Sequence, residues 1–248
     1  MKILGVIPAR YASTRFPGKP LALLGGKTMI QRVYEQCKKA TQLAEVVVAT
    51  DYHQIADVVG GFGGVVCLTA AHHPSGTDRC YEALQQQQAT YDYVINIQGD
   101  EPFIAPQQID LLARLLDGET PLATLIKKIT TAEAIINPNV VKAVVNSLGE
   151  ALYFSRSPIP HVRGLPTAEW LAQHTFYKHI GMYAYRADVL AEITQLPVSN
   201  LERAESLEQL RWLENGYRMK TAVTDLETIG IDTPADLEAA LRHLAHHE

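Results

Sequence analysis

The chain has 248 residues, of which 47% are hydrophobic and 20% are charged, a composition typical of a globular protein. Its 22 lysines and arginines are outnumbered by 27 aspartates and glutamates, and the formal charge of −5 disfavours a general nucleic-acid binder, which would carry a basic surplus. The three cysteines lie far apart, which disfavours a disulfide framework or a zinc site. No apolar run reaches the ~20 residues of a membrane-spanning helix and no signal-peptide pattern is present, so we expect a soluble cytoplasmic protein.

The first half of the chain alternates β-branched apolar runs with segments of helical periodicity. Such runs, separated by helices, indicate parallel strands covered on both faces, the pattern of a doubly wound, mostly parallel α/β sheet. Ligands of this architecture bind at the carboxyl ends of the strands. The predicted strands are 3–7, 45–50, 63–69 and 92–98, and the predicted helices are 28–40, 53–59, 78–88 and 106–116.

The second half has a different rhythm, with strands closer together and an irregular stretch at 156–176 that is rich in proline, histidine and glycine. We predict a single domain over residues 1–248 with a smaller inserted strand-loop region at roughly 151–185. The predicted strands are 122–129, 140–147, 151–155, 180–185 and 220–225, the predicted helices lie near 186–194 and 201–215, and the segment 227–244 closes the chain.

The loop after the first strand concentrates positive charge in an acidic protein. Arg10, Arg15 and Lys19 stand among Pro17, Gly18 and Pro20, which restrict the backbone. Three cations on one short loop repel one another unless an anion lies between them, and arginine matches phosphate oxygens in a bidentate way. The pattern favours a triphosphate site, and the alternative is that these are surface charges paired with nearby carboxylates.

Two glycine-rich stretches resemble nucleotide-binding motifs without matching them. "GGKT" at 25–28 would need a glycine five positions before Gly26 to form a P-loop, and position 21 is leucine. "GGFGG" at 60–64 precedes a predicted strand, whereas the dinucleotide fingerprint follows one. Both a P-loop ATPase and a dinucleotide-binding dehydrogenase are therefore disfavoured.

The segment "IPARYASTRFPGKPL" resembles the signature loop of the nucleotide-sugar cytidylyltransferases, especially the 3-deoxy-manno-octulosonate (Kdo) cytidylyltransferases. The resemblance covers nearly the whole chain, because further matching motifs follow in order. They are "VATD" (48–51), "HPSGTDRCYEA" (73–83), "INIQGDEPFI" (95–104), "NPNVVK" (137–142), "ALYFSRSPIP" (151–160), "YKHIGMYAYR" (177–186), "LEQLRWLENG" (207–216) and "GIDTPADL" (230–237).

This resemblance implies a Rossmann-like nucleotidyltransferase fold and an enzyme that transfers CMP from CTP to the anomeric hydroxyl of Kdo. The products would be CMP-Kdo and pyrophosphate, in lipopolysaccharide precursor biosynthesis. It also implies a homodimer, with the region 151–185 near the dimer contact and the sugar pocket, and it implies no nucleic-acid or membrane partner.

Asp100 and Asp232 are the candidate ligands of a Mg²⁺ cofactor. Asp100 follows a buried strand, where an unpaired carboxylate is costly, and Mg²⁺ commonly binds one or two carboxylates together with substrate phosphates. Asp232 precedes Thr233-Pro234 and has the alternative role of a helix cap. The family has an aspartate at each place, so we favour the metal role. Glu101 is either a neighbour that supports these ligands or a member of a structural salt bridge.

The remaining site residues are implied by the resemblance. In the "HPSGTDR" loop, the alternative for Thr77 and Asp78 is simply to cap the following helix. The predicted nucleotide-binding residues are Pro8, Ala9, Arg10, Ser13, Arg15, Lys19, Ser75, Arg79 and Gln98, of which Arg10, Arg15 and Lys19, together with Asp100, are also the predicted catalytic residues.

Two of the predicted sugar-binding residues have alternative, structural roles. Tyr183 could belong to the core, and Glu208 could lie on a solvated helix face. The full set is Arg156, His179, Tyr183, Glu208 and Gln209, which offers a cation for a carboxylate and several hydrogen-bonding groups for hydroxyls.

Three other functions remain open at this stage. The acceptor could be a sialic acid or an amino analogue of Kdo, because generic hydrogen-bonding residues do not separate them. A dehydrogenase is disfavoured by the missing glycine fingerprint. A nucleotide-sensing protein without catalysis would share the binding loop and lack turnover.

Overall fold

The computed structural model describes residues 1–12, 15–228 and 230–245. The strands are β1 Ile3–Ala9, β2 Leu23–Leu24, β3 Lys27–Thr28, β4 Glu45–Thr50, β5 Val66–Leu68, β6 Tyr93–Asn96, β7 Leu122–Lys128, β8 Lys142–Val145, β9 Ala151–Ser155, β10 Tyr177–Arg186 and β11 Met219–Val223. The helices are α1 Met29–Cys37, α2 His53–Gly61, α3 Gly76–Gln85, α4 Pro106–Ala113, α5 Ala132–Ile136, α6 Trp170–Gln173, α7 Ala187–Ile193, α8 Asn200–Glu205, α9 Gln209–Glu214 and α10 Pro234–Ala245, with 3₁₀ turns at Lys19–Leu21 and Thr167–Glu169.

These elements form two compact units. The first contains Met1–Ala113 and the C-terminal segment from Glu227, and the second contains Arg114–Leu226. The predicted α/β class with parallel strands and interleaved helices is confirmed. The division into a single domain with an insert at 151–185 stays a prediction.

The first unit contains a parallel sheet in the order β6-β1-β4-β5. Its strands are runs of Val, Ile and Leu that are buried on both faces, which is why they read as continuous apolar segments in the sequence. Because the strands are parallel, their carboxyl ends share one edge, and the loops that follow β1, β4 and β6 begin there. Those loops contain Arg10, Asp51 and Asp100.

The second unit contains a mixed sheet in the order β11-β7-β10-β8-β9. Only β11 and β7 pair in parallel, and the other strands are antiparallel. The pairing of β10 with β7 shifts between Ile180 and Tyr183. The buried Thr124 hydroxyl lies at this irregularity, 2.8 Å from the Met182 carbonyl and 3.2 Å from the Ile180 carbonyl, so it satisfies backbone groups that the ladder leaves unpaired.

Two local features differ from the sequence prediction, and a third concerns a motif that was rejected as a P-loop. The helix expected at 201–215 is two helices, α8 and α9, because Ser206 adopts a left-handed conformation with φ of 52°. The stretch 156–176, expected to be irregular, contains a short 3₁₀ turn and α6, with Trp170 and Phe176 packed into a small core. "GGKT" lies in the β2–β3 hairpin, where Gly25 and Gly26 both have positive φ and form its turn.

In the described part of the chain, none of the helices is both long and apolar enough to span a membrane.

Gly99 follows β6 and lets the backbone there lie close to the end of β1. A substitution at this position tests whether a side chain would prevent that close contact. A Cβ at position 99 would lie 2.9 Å from the Pro8 carbonyl oxygen, so the backbone would have to shift. We expect Gly99→Ala to lower the free energy of unfolding by about 1–3 kcal/mol in urea denaturation.

The matched control is Gly60→Ala in α2, where an added Cβ meets nothing within 4 Å. Alanine is favoured over glycine inside a helix by roughly 0.5–1 kcal/mol, so this variant should be as stable as the parent or more so. Equal losses in the two variants would contradict the proposed steric cause.

Candidate active site

The basic loop lies at the carboxyl end of β1. Arg10 is exposed, the Arg15 side chain is 66% exposed, and that of Lys19 is only 13% exposed. Lys19 begins the 3₁₀ turn, and Gly18 before it has a φ of 71°. Two arginines therefore remain accessible to a ligand, while the lysine is directed into the protein. Ser13 is outside the described residues.

Lys19 joins the two predicted metal ligands. Its Nζ lies 2.7 Å from Oδ2 of Asp100 and 3.2 Å from Oδ1 of Asp232, and Nη2 of Arg15 lies 3.1 Å from the same Asp232 oxygen. Asp100 and Asp232 are far apart in the chain, and the fold brings their carboxylates to one ammonium group. Four predicted site residues thus lie in one charged cluster, and the role of each stays a prediction.

The structure argues against the helix-cap role weighed for Asp232 and leaves the metal role a prediction. Thr233 caps α10, since its hydroxyl accepts a hydrogen bond from the Asp236 N–H at 3.2 Å. Asp236 completes the cap, because its carboxylate accepts from the Thr233 N–H at 2.8 Å and from the Asp232 N–H at 3.1 Å. The Asp232 side chain is therefore left to contact Lys19 and Arg15. The Ile231 N–H donates to the Asp100 carbonyl at 2.9 Å and fixes the two segments together.

This arrangement fits a hard divalent cation. Two carboxylates that already share one ammonium can share one metal ion, and Mg²⁺ takes the rest of its ligands from water and substrate phosphates. Among residues 1–12, 15–228 and 230–245, no group of three or more His, Cys, Asp or Glu side chains could hold a metal alone. The donor set therefore suits an ion that arrives with a polyphosphate rather than a permanently caged one.

Glu101 is next to this cluster and has a different environment. Burial, and secondly the neighbouring charge of Asp100, raise the pKa of Glu101 to about 8. A salt bridge would lower the pKa of a carboxyl group, so the raised pKa of Glu101 argues against the structural ion pair weighed for this residue. The raised pKa reduces the negative charge that Glu101 adds to the cluster.

Arg79 is almost completely buried, at 1% exposure, in α3. Its Nη1 donates to the Thr69 hydroxyl at 2.5 Å and lies 3.4 Å from Oδ1 of Asp51. Its Nη2 is buried and, within the described residues, has no hydrogen-bond partner. Burial lowers the pKa of Arg79, and the positive charge of Arg10 acts in the same direction while Asp51 opposes it. An unsatisfied buried donor is costly, so Nη2 is a natural contact for a ligand oxygen.

The other predicted nucleotide residues line the same edge of the first unit. Pro8 and Ala9 end β1, and Gln98 follows β6 in a half-buried position. Ser75 is the N-cap of α3: its hydroxyl accepts from the Thr77 and Asp78 N–H groups and donates to the Asp78 carboxylate at 2.6 Å. The cap is thus Ser75, and the alternative weighed for Thr77 and Asp78, that one of them caps this helix, is wrong.

In the second unit, His179 is a neutral hydrogen-bonding group. Its Nε2 lies 2.9 Å from the Thr124 hydroxyl, whose single hydrogen points to the carbonyls of Ile180 and Met182. His179 must therefore donate through Nε2, which leaves Nδ1 as an acceptor. Burial lowers the pKa of His179 to about 3, so this tautomer is uncharged at physiological pH.

Three predicted sugar-binding residues lie close together in this unit. The Tyr183 ring is 5.2 Å from the His179 ring and is packed edge-on against Trp212. Burial raises the pKa of Tyr183 well above its usual value, and the negative charge of Glu208 adds to the effect. Tyr183 is thus a neutral phenol beside Glu208, and its packing against Trp212 also fits the core role weighed for it.

The last two predicted sugar-binding residues are held by the protein itself. Gln209 is 3% exposed at the start of α9. Arg156 donates from Nε to the Glu205 carbonyl at 2.7 Å, from Nη1 to the Pro138 carbonyl at 3.1 Å and from Nη2 to the Ser206 carbonyl at 3.3 Å. A guanidinium has five N–H donors, so two remain for a ligand.

Sequence reasoning missed the partners that orient these residues. Asp51 and Thr69 hold Arg79, and Lys142 and Glu205 surround Arg156. Asp51 and Lys142 end the matched motifs "VATD" and "NPNVVK", which was the available signal. Thr69 and Glu205 had none, because their role depends on contacts between distant parts of the chain.

Comparisons with known proteins agree on one class. Residues 4–226 match a family model described as cytidylyltransferase. A 3-deoxy-manno-octulosonate cytidylyltransferase from Parabacteroides distasonis is 59% identical over 99% of each chain, and one from Cytophaga hutchinsonii is 59% identical over 96% of this chain and 95% of its own. The solved structure of a CMP:2-keto-3-deoxy-manno-octonic acid synthetase complexed with CTP is 45% identical, covers both chains completely and has a TM-score of 0.93.

The neutral state of His179 predicts a pH dependence of stability. The unfolded chain takes up a proton near the ordinary histidine pKa of about 6.5, whereas the folded protein does not until about pH 3. The unfolded state therefore binds more protons in this window, and the free energy of unfolding falls as the pH falls below about 6.5. The penalty is about 2 kcal/mol at pH 5.

His179→Gln keeps a donor for Thr124 and cannot titrate. We expect the stability difference between this variant and the parent to shift by about 2 kcal/mol in favour of the variant between pH 7.5 and pH 5, measured by urea denaturation. Other acid-sensitive groups affect both proteins equally. An unchanged difference would show that His179 is protonated in the folded state.

Proposed function

The chain belongs to the cytidylyltransferase family, and from this we propose that it transfers CMP from CTP to the anomeric hydroxyl of 3-deoxy-manno-octulosonate (Kdo) and releases pyrophosphate. The relatives that support this acceptor match over almost their full length. The observation that carries the proposal within this chain is the charged cluster of Lys19, Asp100, Asp232 and Arg15 at the carboxyl edge of the parallel sheet.

The reaction joins the sugar hydroxyl oxygen to the α-phosphorus of CTP and breaks the bond from that phosphorus to the pyrophosphate oxygen. Negative charge develops on the departing pyrophosphate. Arg15 and Lys19 neutralise it, and such fixed cations are a large source of rate acceleration in phosphoryl chemistry. Arg10 binds the phosphates or the ribose side, and Nη2 of Arg79 contacts an oxygen of the nucleotide.

Asp100 and Asp232 hold a Mg²⁺ ion in this proposal. Bound there, Mg²⁺ would polarise the α-phosphate and lower the pKa of the attacking hydroxyl, whose proton would pass to solvent water, so that no side chain is needed as a general base. In the structure, Lys19 contacts one oxygen of each of these carboxylates. Its ammonium then exchanges the two aspartates for phosphate oxygens and becomes a cation of the nucleotide site.

The acid sugar is bound by residues of the second unit. The two remaining N–H donors of Arg156 bind the sugar carboxylate, an arrangement that guanidinium geometry favours. Nδ1 of His179 accepts a hydrogen bond from a sugar hydroxyl, since Nε2 is occupied by Thr124. Tyr183, Glu208 and Gln209 supply further donors and acceptors for hydroxyl groups.

We also propose a cytoplasmic homodimer. Cys37, Cys67 and Cys80 form no disulfide bond, which suits a reducing compartment. Leu148 and Leu152, in the β8–β9 hairpin, are 78% and 58% exposed and give this part of the second unit an apolar surface for a second copy. Light scattering coupled to size-exclusion chromatography tests the assembly, and a monomer mass would refute it.

A pyrophosphate-release assay tests the substrate pair. We expect turnover with CTP and Kdo in the presence of Mg²⁺, and at least 100-fold lower kcat/KM with ATP, GTP or UTP. A sialic acid and an amino analogue of Kdo are run in parallel with Kdo. Higher kcat/KM with either acid than with Kdo would reassign the acceptor and leave the reaction class intact.

Asp100→Asn tests the role of the charged cluster in catalysis. The variant keeps the size of the side chain and loses its charge, so we expect kcat to fall by about 10²–10³-fold, the effect of removing one charge-stabilising group. Asp57→Asn, on the exposed surface of α2, is the matched control and should keep full activity. Circular dichroism checks that both variants fold. Full activity in folded Asp100→Asn would remove this residue from the site.

A further inference from the structure

Lys142 is a completely buried lysine, at 0% exposure, although it begins β8 next to an exposed loop. The loop is formed by residues 137–140, whose side chains lie mostly on the surface. A lysine is almost never fully buried unless its charge is compensated, because desolvation of an ammonium group is costly. Burial indeed lowers the pKa of Lys142.

Three backbone carbonyls compensate this ammonium group. Nζ of Lys142 lies 2.9 Å from the carbonyl oxygen of Asn137, 2.6 Å from that of Val140 and 2.5 Å from that of Arg156. An ammonium group has three N–H donors, so all of them are used. Two of the acceptors belong to the exposed loop, and the third belongs to the residue predicted to bind the sugar carboxylate.

The guanidinium of Arg156 also binds the loop 137–140. It donates to the Pro138 carbonyl, while its remaining bonds go to the carbonyls of Glu205 and Ser206. The Glu205 carboxylate accepts from the Arg156 N–H at 2.9 Å and from the Ser155 hydroxyl at 2.6 Å. Lys142 and Arg156 therefore form one polar network around residues 137–140.

The same strand end also contacts His179. The His179 N–H donates to the carbonyl of Val141, the residue before Lys142, at 2.8 Å. Val141, whose carbonyl binds the His179 backbone, is therefore followed directly by Lys142, whose side chain binds the Arg156 carbonyl. Displacing the start of β8 would move both predicted sugar-binding groups together.

We propose that Lys142 is a positioning residue that fixes the backbone of Arg156 and the loop 137–140, and so orients the Arg156 guanidinium toward the carboxylate of the acid sugar. This inference rests on the proposed function, because it takes Arg156 to be the carboxylate ligand. It assigns Lys142 no contact with the substrate.

Lys142→Met tests the proposal, since methionine retains an unbranched side chain of similar length and loses all three donors. The first measurement is hydrogen exchange of backbone amides, which needs no substrate. We expect exchange in residues 137–141 and 155–157 to accelerate at least tenfold, because three carbonyls lose their common donor. The control is Lys128→Met, an exposed lysine at the end of β7, which should leave these amides unchanged.

The second measurement separates positioning from stability. We expect the KM for Kdo to rise at least tenfold while the KM for CTP stays within twofold of the parent value. A purely structural lysine would lower the melting temperature and the active fraction without changing the KM for Kdo. Faster exchange with an unchanged KM for Kdo would overturn the proposal, and so would unchanged exchange.

Glu205→Gln serves if Lys142→Met fails to fold. Glutamine keeps one of the two acceptor oxygens that bind the Ser155 hydroxyl and the Arg156 N–H, replaces the other with an NH₂ donor and removes the negative charge near Lys142. We therefore expect the KM for Kdo to rise as in Lys142→Met, with a smaller amplitude. An unchanged KM for Kdo in folded Glu205→Gln would count against the network. If the parent protein does not use Kdo at all, the proposed function fails, and the exchange data alone decide whether Lys142 fixes Arg156.

Discussion

The ammonium group of Lys19 between Asp100 and Asp232 is the interaction on which the first unit depends. Two carboxylates that face each other repel, and partial burial of Lys19 and Asp100 strengthens every charge interaction at this point. One cation shared by both makes their approach favourable. It also keeps the two carboxylates close together, as the proposed binding of one divalent cation by both requires.

Backbone contacts keep the two aspartates in register for this shared cation. Asp100 follows β6 at a point where Gly99 allows close contact with Pro8, and the Ile231 N–H then binds the Asp100 carbonyl. Ile231 packs into a small apolar cluster with Leu24, Met29 and Ala240. Since Thr233 and Asp236 cap α10, the Asp232 side chain takes no part in the helix cap. The charges therefore meet because apolar packing and caps have already fixed their backbones.

The sequence predicts well those features that depend on local pattern. β4 and β9 have the expected bounds, because β-branched runs favour strands and the flanking polar residues end them. Three residues of the charged cluster, Arg15, Lys19 and Asp100, were predictable, because they follow parallel strands whose carboxyl ends share one edge. The resemblance to cytidylyltransferases was needed to add Asp232, which local pattern alone would have assigned to a helix cap.

Features that depend on the backbone conformation of one residue, or on contacts with residues far away in the chain, could not be predicted from the sequence. Nothing in the helical periodicity of 201–215 shows that Ser206 adopts a left-handed conformation and divides the helix. The choice of Ser75 over Thr77 or Asp78 as the cap depends on where α3 starts, a boundary that pattern fixes only within a few residues. The burial of Lys142 depends on carbonyls contributed by two separate loops.

Buried cations in this protein differ in how completely their donors are used, and this difference separates structural from ligand-binding roles. Arg211 donates from Nε and Nη2 to both oxygens of Glu202, and Lys142 uses all three of its N–H groups on carbonyls. Arg79 is equally buried but leaves Nη2 without a partner in the described part of the chain. A buried donor without a hydrogen bond is costly, so the free protein bears a cost at Arg79 that a nucleotide oxygen would remove in the proposed complex. The unsatisfied donor of Arg79 is therefore a stronger sign of a binding role than its charge.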